Sequence, residues 1–249
     1  MATRWAFHSL FVLSVVGVWS LLTGGLVPSF HPLNPVLVGR PLGVLSQLLT
    51  LLSGSALWSH LWTTLSETLL GLLWALAGAV GLALLFEYRP FWRRVLDPWL
   101  NAINALPKLA LAPFLVVWVG IGLSSKVWIS ASMAFFPLFY STLGGLDTLD
   151  TDLVAAHRVM GIAGFQLVRI VMLPAIWRWT LSALRAALGL ALTGAVVGEF
   201  IGSTGGLGYL LVGAQGFMAT NRALALLALI GGMGVLLDVG ARYLERRAR

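Results

Sequence analysis

The chain has 249 residues, 59% hydrophobic and only 10% charged, where a soluble domain carries about 25% charged residues; it lacks the polar surface that a water-facing fold requires. It has no cysteine, which excludes disulfides, thiolate metal sites and cysteine nucleophiles. The net charge of +7 sits at the ends of apolar runs and not on an aromatic-interleaved basic stripe, so no nucleic-acid partner is expected.

Apolar runs near 20 residues, the length that crosses a bilayer core as a helix, recur along the chain. Six spans fit: Trp5 to Val27, Leu61 to Phe86, Asn101 to Leu123, Val127 to Gly145, Trp177 to Ile201, and Ala223 to Tyr243. The first follows Arg4 as a secretory signal would. It is too long for a signal core and no A-x-A site follows, so it is expected to stay as an uncleaved span. The third contains Pro107 and Pro113 and is expected to be kinked. Between the first two, "PSFHPLNP" should be extended, and "LSQLLTLLSGSALW", apolar but short of a span, should lie along the lipid interface. Residues 1–60 thus form a first span plus an interfacial segment, and residues 61–249 a five-helix core.

Twelve Lys and Arg residues fall on one side of this arrangement, against Arg40, Lys126 and Arg222 on the other, with Arg185 left inside the fifth span. Positive residues favour the cytoplasmic side. Both termini and the segment between the fourth and fifth spans are therefore expected in the cytoplasm.

That segment, "AAHRVMGIAGFQLVRIVMLP", departs from the text around it. From Asp152 to Met160 the pattern allows a little over two helical turns, with Asp150 or Asp152 as the N-terminal cap. Gly161 and Gly164 permit a reversal. A second helix then places Phe165, Val168 and Met172 on one stripe and Arg169 away from it, and Pro174 marks the return to the membrane. Ala155 and Ala156 leave room for another surface to approach. Physics alone is equally consistent with an amphipathic loop resting on headgroups.

The segment resembles the "EAA" loop of permease subunits of bacterial ABC importers, in the branch that handles nitrate, sulfonates and taurine. Aligned on Gly161 and Leu173-Pro174, the loop's glutamate falls on Ala155 and its alanines on Ala156 and His157. "SGSALWSHLWTTL", "LDPWLNAINALPKLALAPFLVVWVGIGLSSKVWI", "FFPLFYSTLGGLDTLD", "LRAALGLALTGAVVGEFIGSTGGLGYLL" and "DVGARYLERR" also resemble family text, in family order, from about Ser53 onward. The resemblance implies an all-α, MetI-like type I importer permease fold, with a cytoplasmic coupling loop at 147–176. It also implies partners: a cytosolic ATPase dimer, a second permease copy and an external substrate-binding protein. ATP and Mg²⁺ are then used by the ATPase, and no cofactor is bound by this chain. The residues that the resemblance assigns to coupling are Asp152, Ala155, Ala156, His157, Arg158, Gly161, Phe165, Arg169 and Pro174. Two positions depart from the family: Ala155 replaces the glutamate, for which Asp152 on the same helical face can substitute, and Glu67 stands where relatives often carry a basic residue.

Other residues have two readings each. Glu199 is an intramembrane carboxylate, costly unless paired or wet, and is either a gate or packing residue or a boundary residue reaching water. Gly194, Gly198 and Gly202 repeat every four residues, as close helix packing requires; with Phe135 and Phe136 they are candidates for the pathway or for the core. Asp238 and Arg242 are expected to pair. The glycine-rich "GSTGGLG" lacks the lysine of a phosphate loop, the four histidines form no metal set, and no catalytic constellation is present. An ion-coupled secondary transporter is the rival reading, weakened by few intramembrane ionisable groups and no inverted repeat.

Overall fold

A computed structural model describes residues 10, 14–25, 32–162 and 164–248. Among them every regular element is a helix. Helix α1 (14–22) is the described part of the first expected span; the rest of Trp5 to Val27 lies outside the described residues, as do 28–31 of the proline-rich stretch. Two short helices, α2 (Pro35–Val38) and α3 (Pro41–Ser53), follow. The 13 residues of α3 reach about 20 Å, too short for a hydrocarbon core about 30 Å thick.

Helix α4 (Ser55–Tyr88) contains the expected second span and overruns it at both ends. Next the structure corrects the third span. In place of one kinked helix there are two, α5 (Pro90–Ala105) and α6 (Lys108–Val119), meeting at 99°. Pro107 precedes the first turn of α6, where a missing N–H costs nothing, so it starts a new helix instead of bending an old one. Helix α7 (Leu123–Asp147) holds the fourth span, and α8 (Thr151–Val159) begins the polar insert. Helix α9 (Phe165–Leu167) runs through a π-helical turn, Val168–Met172, into α10 (Leu173–Gly202) as one 38-residue helix. A ten-residue helix, α11 (Leu207–Gly216), precedes α12 (Thr220–Ala248). Among the described residues four helices are long and apolar enough to cross a membrane, or five if the bent pair counts as one.

The core is the α4–α7–α10 bundle. In lipid, helices gain little from hiding apolar surface from one another, so close backbone approach and interhelical hydrogen bonds hold them. Ser130 of α7 sits between Gly71 of α4 and Gly194 of α10, and a Cβ at those glycines would stand 2.2 Å from Ser130 Oγ and 2.7 Å from its Cα. Ser130 Oγ donates to the Ala191 carbonyl at 2.9 Å. Lower in the same seam, Thr142 and Thr180 share a hydrogen bond at 3.0 Å, and Ser141 donates to the Trp179 carbonyl at 2.7 Å. Ala75, Ala79 and Ala83 give α4 a small-residue face, and Phe86 meets Phe139 edge to face at 5.6 Å. Arg185, unexplained inside its span, bonds Asp238 of α12 at 2.8 Å, and Arg242 bonds the other carboxylate oxygen as the i,i+4 spacing suggests.

Candidate functional site

Three groups of residues carry chemistry. The first surrounds Glu199, which is 1% exposed near the C-terminal end of α10. Its Oε1 accepts the Thr64 hydroxyl at 2.6 Å, and its Oε2 accepts the Gly208 N–H at 2.5 Å. Thr64 Oγ1 in turn accepts the Leu207 N–H at 2.8 Å, and His60 Nδ1 accepts the Gly206 N–H at 3.0 Å. Three successive N–H groups at the start of α11, which no helical carbonyl can satisfy, are thus met by side chains of α4 and α10. The negative carboxylate also complements the N-terminal dipole. This explains the glycines of "GSTGGLG": Gly206 has φ +101°, and its Cβ would overlap the Glu199 carboxylate at 2.1 Å. Of the two readings of Glu199, the geometry is that of a residue fastening α11 to the bundle. The sequence does not reveal Thr64, which bonds Glu199, or His60, which accepts the Gly206 N–H beside it.

Glu67 lies buried beside Glu199, with the two carboxyl groups within hydrogen-bonding reach. Glu67 Oε2 has no hydrogen-bond partner among the described residues. Lys126, counted above as a topology charge, is itself buried and adds positive charge to the pair. The departure at Glu67 therefore belongs to a buried polar cluster.

The second group lies at the α5–α6 break. Lys108 Nζ donates to the Asn104 carbonyl at 2.9 Å and to Asn104 Oδ1 at 3.0 Å, and stands 4.6 Å from the centre of the Phe136 ring. Beside it is a cavity of about 330 Å³ lined by Asn104, Lys108, Leu109, Met133, Phe136 and Leu190, among others. Pro137, also on its wall, lacks the N–H that would bond the Met133 carbonyl. Phe136 thus reaches a cavity, whereas Phe135 stacks on Phe139 at 5.6 Å and faces Gly78 of α4. Gly194 and Gly198 both lie in the packed seam with α7, a Cβ on Gly198 falling 3.0 Å from Lys126 Cγ. Gly202 packs on Val116 of α6.

The third group is the polar insert. Asp150 caps α8, its Oδ1 accepting the Asp152 N–H at 2.9 Å, and Asp152 remains exposed in the first turn. The Ile162 N–H bonds the His157 carbonyl at 3.0 Å across Gly161, with φ +83° at Gly161 and +58° at Gly164. This is the left-handed reversal expected of both glycines. Ala155 and Ala156 are exposed on α8. Arg158 belongs to α8 by its backbone; its side chain lies outside the described residues.

The second helix differs from expectation. Leu167, Val171 and Met172 are buried, while Phe165 is 76% exposed, so Phe165 and Met172 do not share a stripe. The π-turn is the reason: the Leu173 N–H bonds the Val168 carbonyl, five residues back. The extra residue in that turn shifts the buried face relative to an α-helix. Pro174 directly follows, and the widened turn relieves the clash its ring would make with the preceding turn. The helix continues through Pro174 instead of restarting there. What remains outside is a knob whose apolar side chains Val159, Met160 and Phe165 are 89%, 67% and 76% exposed, next to the exposed Arg169.

An all-helical bundle with four or five spans, a broken helix and an exposed interhelical knob defines a multi-pass membrane protein of the permease class. The chain belongs to the family of binding-protein-dependent transport system inner membrane components, whose model matches residues 67–249. It is similar to the taurine transport system permease protein TauC of Escherichia coli, with 31% identity over 98% of this chain and 91% of that one. A putative aliphatic sulfonates transport permease protein, SsuC of Bacillus subtilis, is also 31% identical, over 94% of this chain and 83% of its own. The riboflavin transport system permease protein RibX of Chloroflexus aurantiacus is 34% identical over 78% and 73%. In fold the chain is similar to the inward-facing MetNI methionine ABC transporter, with a TM-score of 0.65 at 22% identity, covering 78% of this chain and 96% of that one. The chain is therefore a membrane-embedded ABC importer permease subunit; the ATPase is a separate subunit, and a substrate-binding protein belongs to the system. Family membership does not favour a secondary transporter.

Proposed function

We propose that this chain pairs with a second copy of itself around a central pathway and imports a small organic sulfonate such as taurine. Cytosolic ATPases bind it through the loop at 147–176. Both chain termini are cytoplasmic, and the α11 end faces the substrate-binding protein. ATP and Mg²⁺ act in the ATPase, not in this chain.

The observation that carries this reading is the knob. Val159, Met160 and Phe165 hold large apolar side chains in the open on a short, capped helix pair. Apolar groups gathered on a projecting turn mark a surface that another protein covers. The alanines between Asp152 and Val159 let that partner approach the α8 backbone, and Asp152 supplies the acidic contact that Ala155 lacks. The continuous helix from Phe165 to Gly202 makes the knob a lever: a push on Phe165 is carried along α10 to Glu199 and α11. Moving such an equilibrium from 1:99 to 99:1 takes about 5.5 kcal/mol of differential binding, which nucleotide-driven closure of two ATPases supplies.

The sulfonate assignment rests on relatives that match along nearly the whole chain. The test is to purify the tagged chain, expressed with its neighbouring genes, in mild detergent and to reconstitute it in vesicles. A copurifying ATPase and ATP-dependent uptake of 2-aminoethanesulfonate are expected. Uptake driven by an ion gradient without ATP, or uptake of riboflavin and no sulfonate, would contradict the reading.

A further inference from the structure

We propose that the cavity at the α5–α6 break is the membrane binding site for the anion, with Lys108 as its charge partner and Asn104 as its second donor. The inference rests on the importer reading above and deepens it by naming the residues that hold the substrate.

The first argument is depth. Phe136, against which Lys108 stands, is thirteen residues after Leu123 and eleven before Asp147, the ends of α7. The ammonium is therefore beside the middle of a spanning helix. A charge there marks a substrate path unless it is paired. The ion pairs among the described residues engage Asp147 and Asp238, and none engages Lys108.

The second argument is the count of donors. A lysine ammonium has three N–H groups. Two are directed to Asn104 O and Oδ1, which leaves the third for a ligand in the cavity that Lys108 lines. By giving both its oxygens to Lys108, Asn104 turns its NH₂ group into a second donor. The Phe136 ring steadies the cation through its face without neutralising it. Two converging donors and a net positive charge recognise an oxyanion.

The third argument is shape. A space of about 330 Å³ is at the lower end of ligand cavities, which run from roughly 300 to 1,000 Å³. Its other walls include Leu109, Met133 and Leu190, which suit a short hydrocarbon chain. The ligand class is thus a compact organic oxyanion. The site also lies where α6 leaves α5, so a change in the 99° angle between them moves Asn104 of α5 relative to Lys108 of α6. Binding and release are in this way tied to helix movement.

The experiment uses the complete importer, with its ATPase and binding protein, in proteoliposomes. Uptake of radiolabelled 2-aminoethanesulfonate and substrate-free ATP hydrolysis are measured side by side. Lys108→Gln is expected to lower uptake at low substrate by at least roughly tenfold, the worth of one hydrogen-bonded charge, read as a raised KM for 2-aminoethanesulfonate. Lys108→Arg should restore most of the uptake, and Leu190→Trp, which fills the cavity and keeps the charge, should lower it. Wild-type uptake by Lys108→Gln would overturn the site. So would an equal loss in Lys108→Arg with hydrolysis falling alongside, because that pattern belongs to a structural residue. If the wild-type complex carried no sulfonate at all, the substrate class of the preceding subsection would fail, and the site would fall with it.

Discussion

Glu199 and Lys108 are both polar groups inside an apolar bundle, and they are treated in opposite ways. Around Glu199 each carboxylate oxygen accepts a hydrogen bond, from Thr64 and from the Gly208 N–H. The space beside it is filled so closely that only glycine fits at position 206. Lys108 is held by two oxygens of Asn104 and one ring, and next to it the structure leaves room. A carboxylate with both oxygens satisfied in a closed space, as Glu199 is, fastens the fold, since an unsatisfied group costs most there. A partly satisfied charge beside a cavity is available to a ligand.

That contrast can be broken most severely at the closed end. Gly194→Leu places a side chain where the Ser130 backbone already stands. Overpacking typically costs about 1–3 kcal/mol and more when backbone must move. No monodisperse protein is expected on size-exclusion chromatography, and a well-folded Gly194→Leu would mean that the seam is looser than described. Glu199→Gln keeps the volume but replaces one acceptor with a donor facing a backbone N–H or the Thr64 hydroxyl. A loss of about 1–3 kcal/mol is expected, read as a lower melting temperature in detergent. Unchanged melting would remove Glu199 as the fastener of α11.

At the open end the readout changes from stability to association. Val159→Ser with Phe165→Ser should leave melting unchanged, because both side chains are exposed, and should abolish ATPase copurification. Asp152→Ala should weaken that association by a smaller amount, as one exposed charge is worth little. Asp238→Asn has the smallest expected effect, a slight drop in melting temperature as the exposed links to Arg185 and Arg242 weaken.

The span cores were legible because 20 apolar residues in a row have few other uses. The insert was legible through its glycines, both of which adopt positive φ. The bend at Leu106–Pro107 was not, because a proline reads alike whether it kinks one helix or opens the next. Helix α11 is also not legible: two of the three N–H groups at its start are met by residues 146 and 143 positions away along the chain, and no local pattern announces that. The π-turn is hidden for a related reason, since periodicity analysis assumes one constant pitch and a single extra residue turns Phe165 off the face on which Val168 and Met172 pack. Lys108 was read as one more cytoplasmic charge; only the packing of α6 against α7 shows it beside Phe136 in the middle of a span.

The chain has no cysteine, so Ala156→Cys would be its only thiol and Phe217→Cys, exposed near the opposite end of the bundle, its matched control. A photoactivatable thiol-linked reagent placed at each position in the assembled complex tests most directly whether the knob is the handle for the ATPase. Cross-linking to the ATPase from position 156, changed in yield by ATP, and none from position 217 is the predicted result. Cross-linking from position 217, or none from 156 in a complex that hydrolyses ATP, would contradict it.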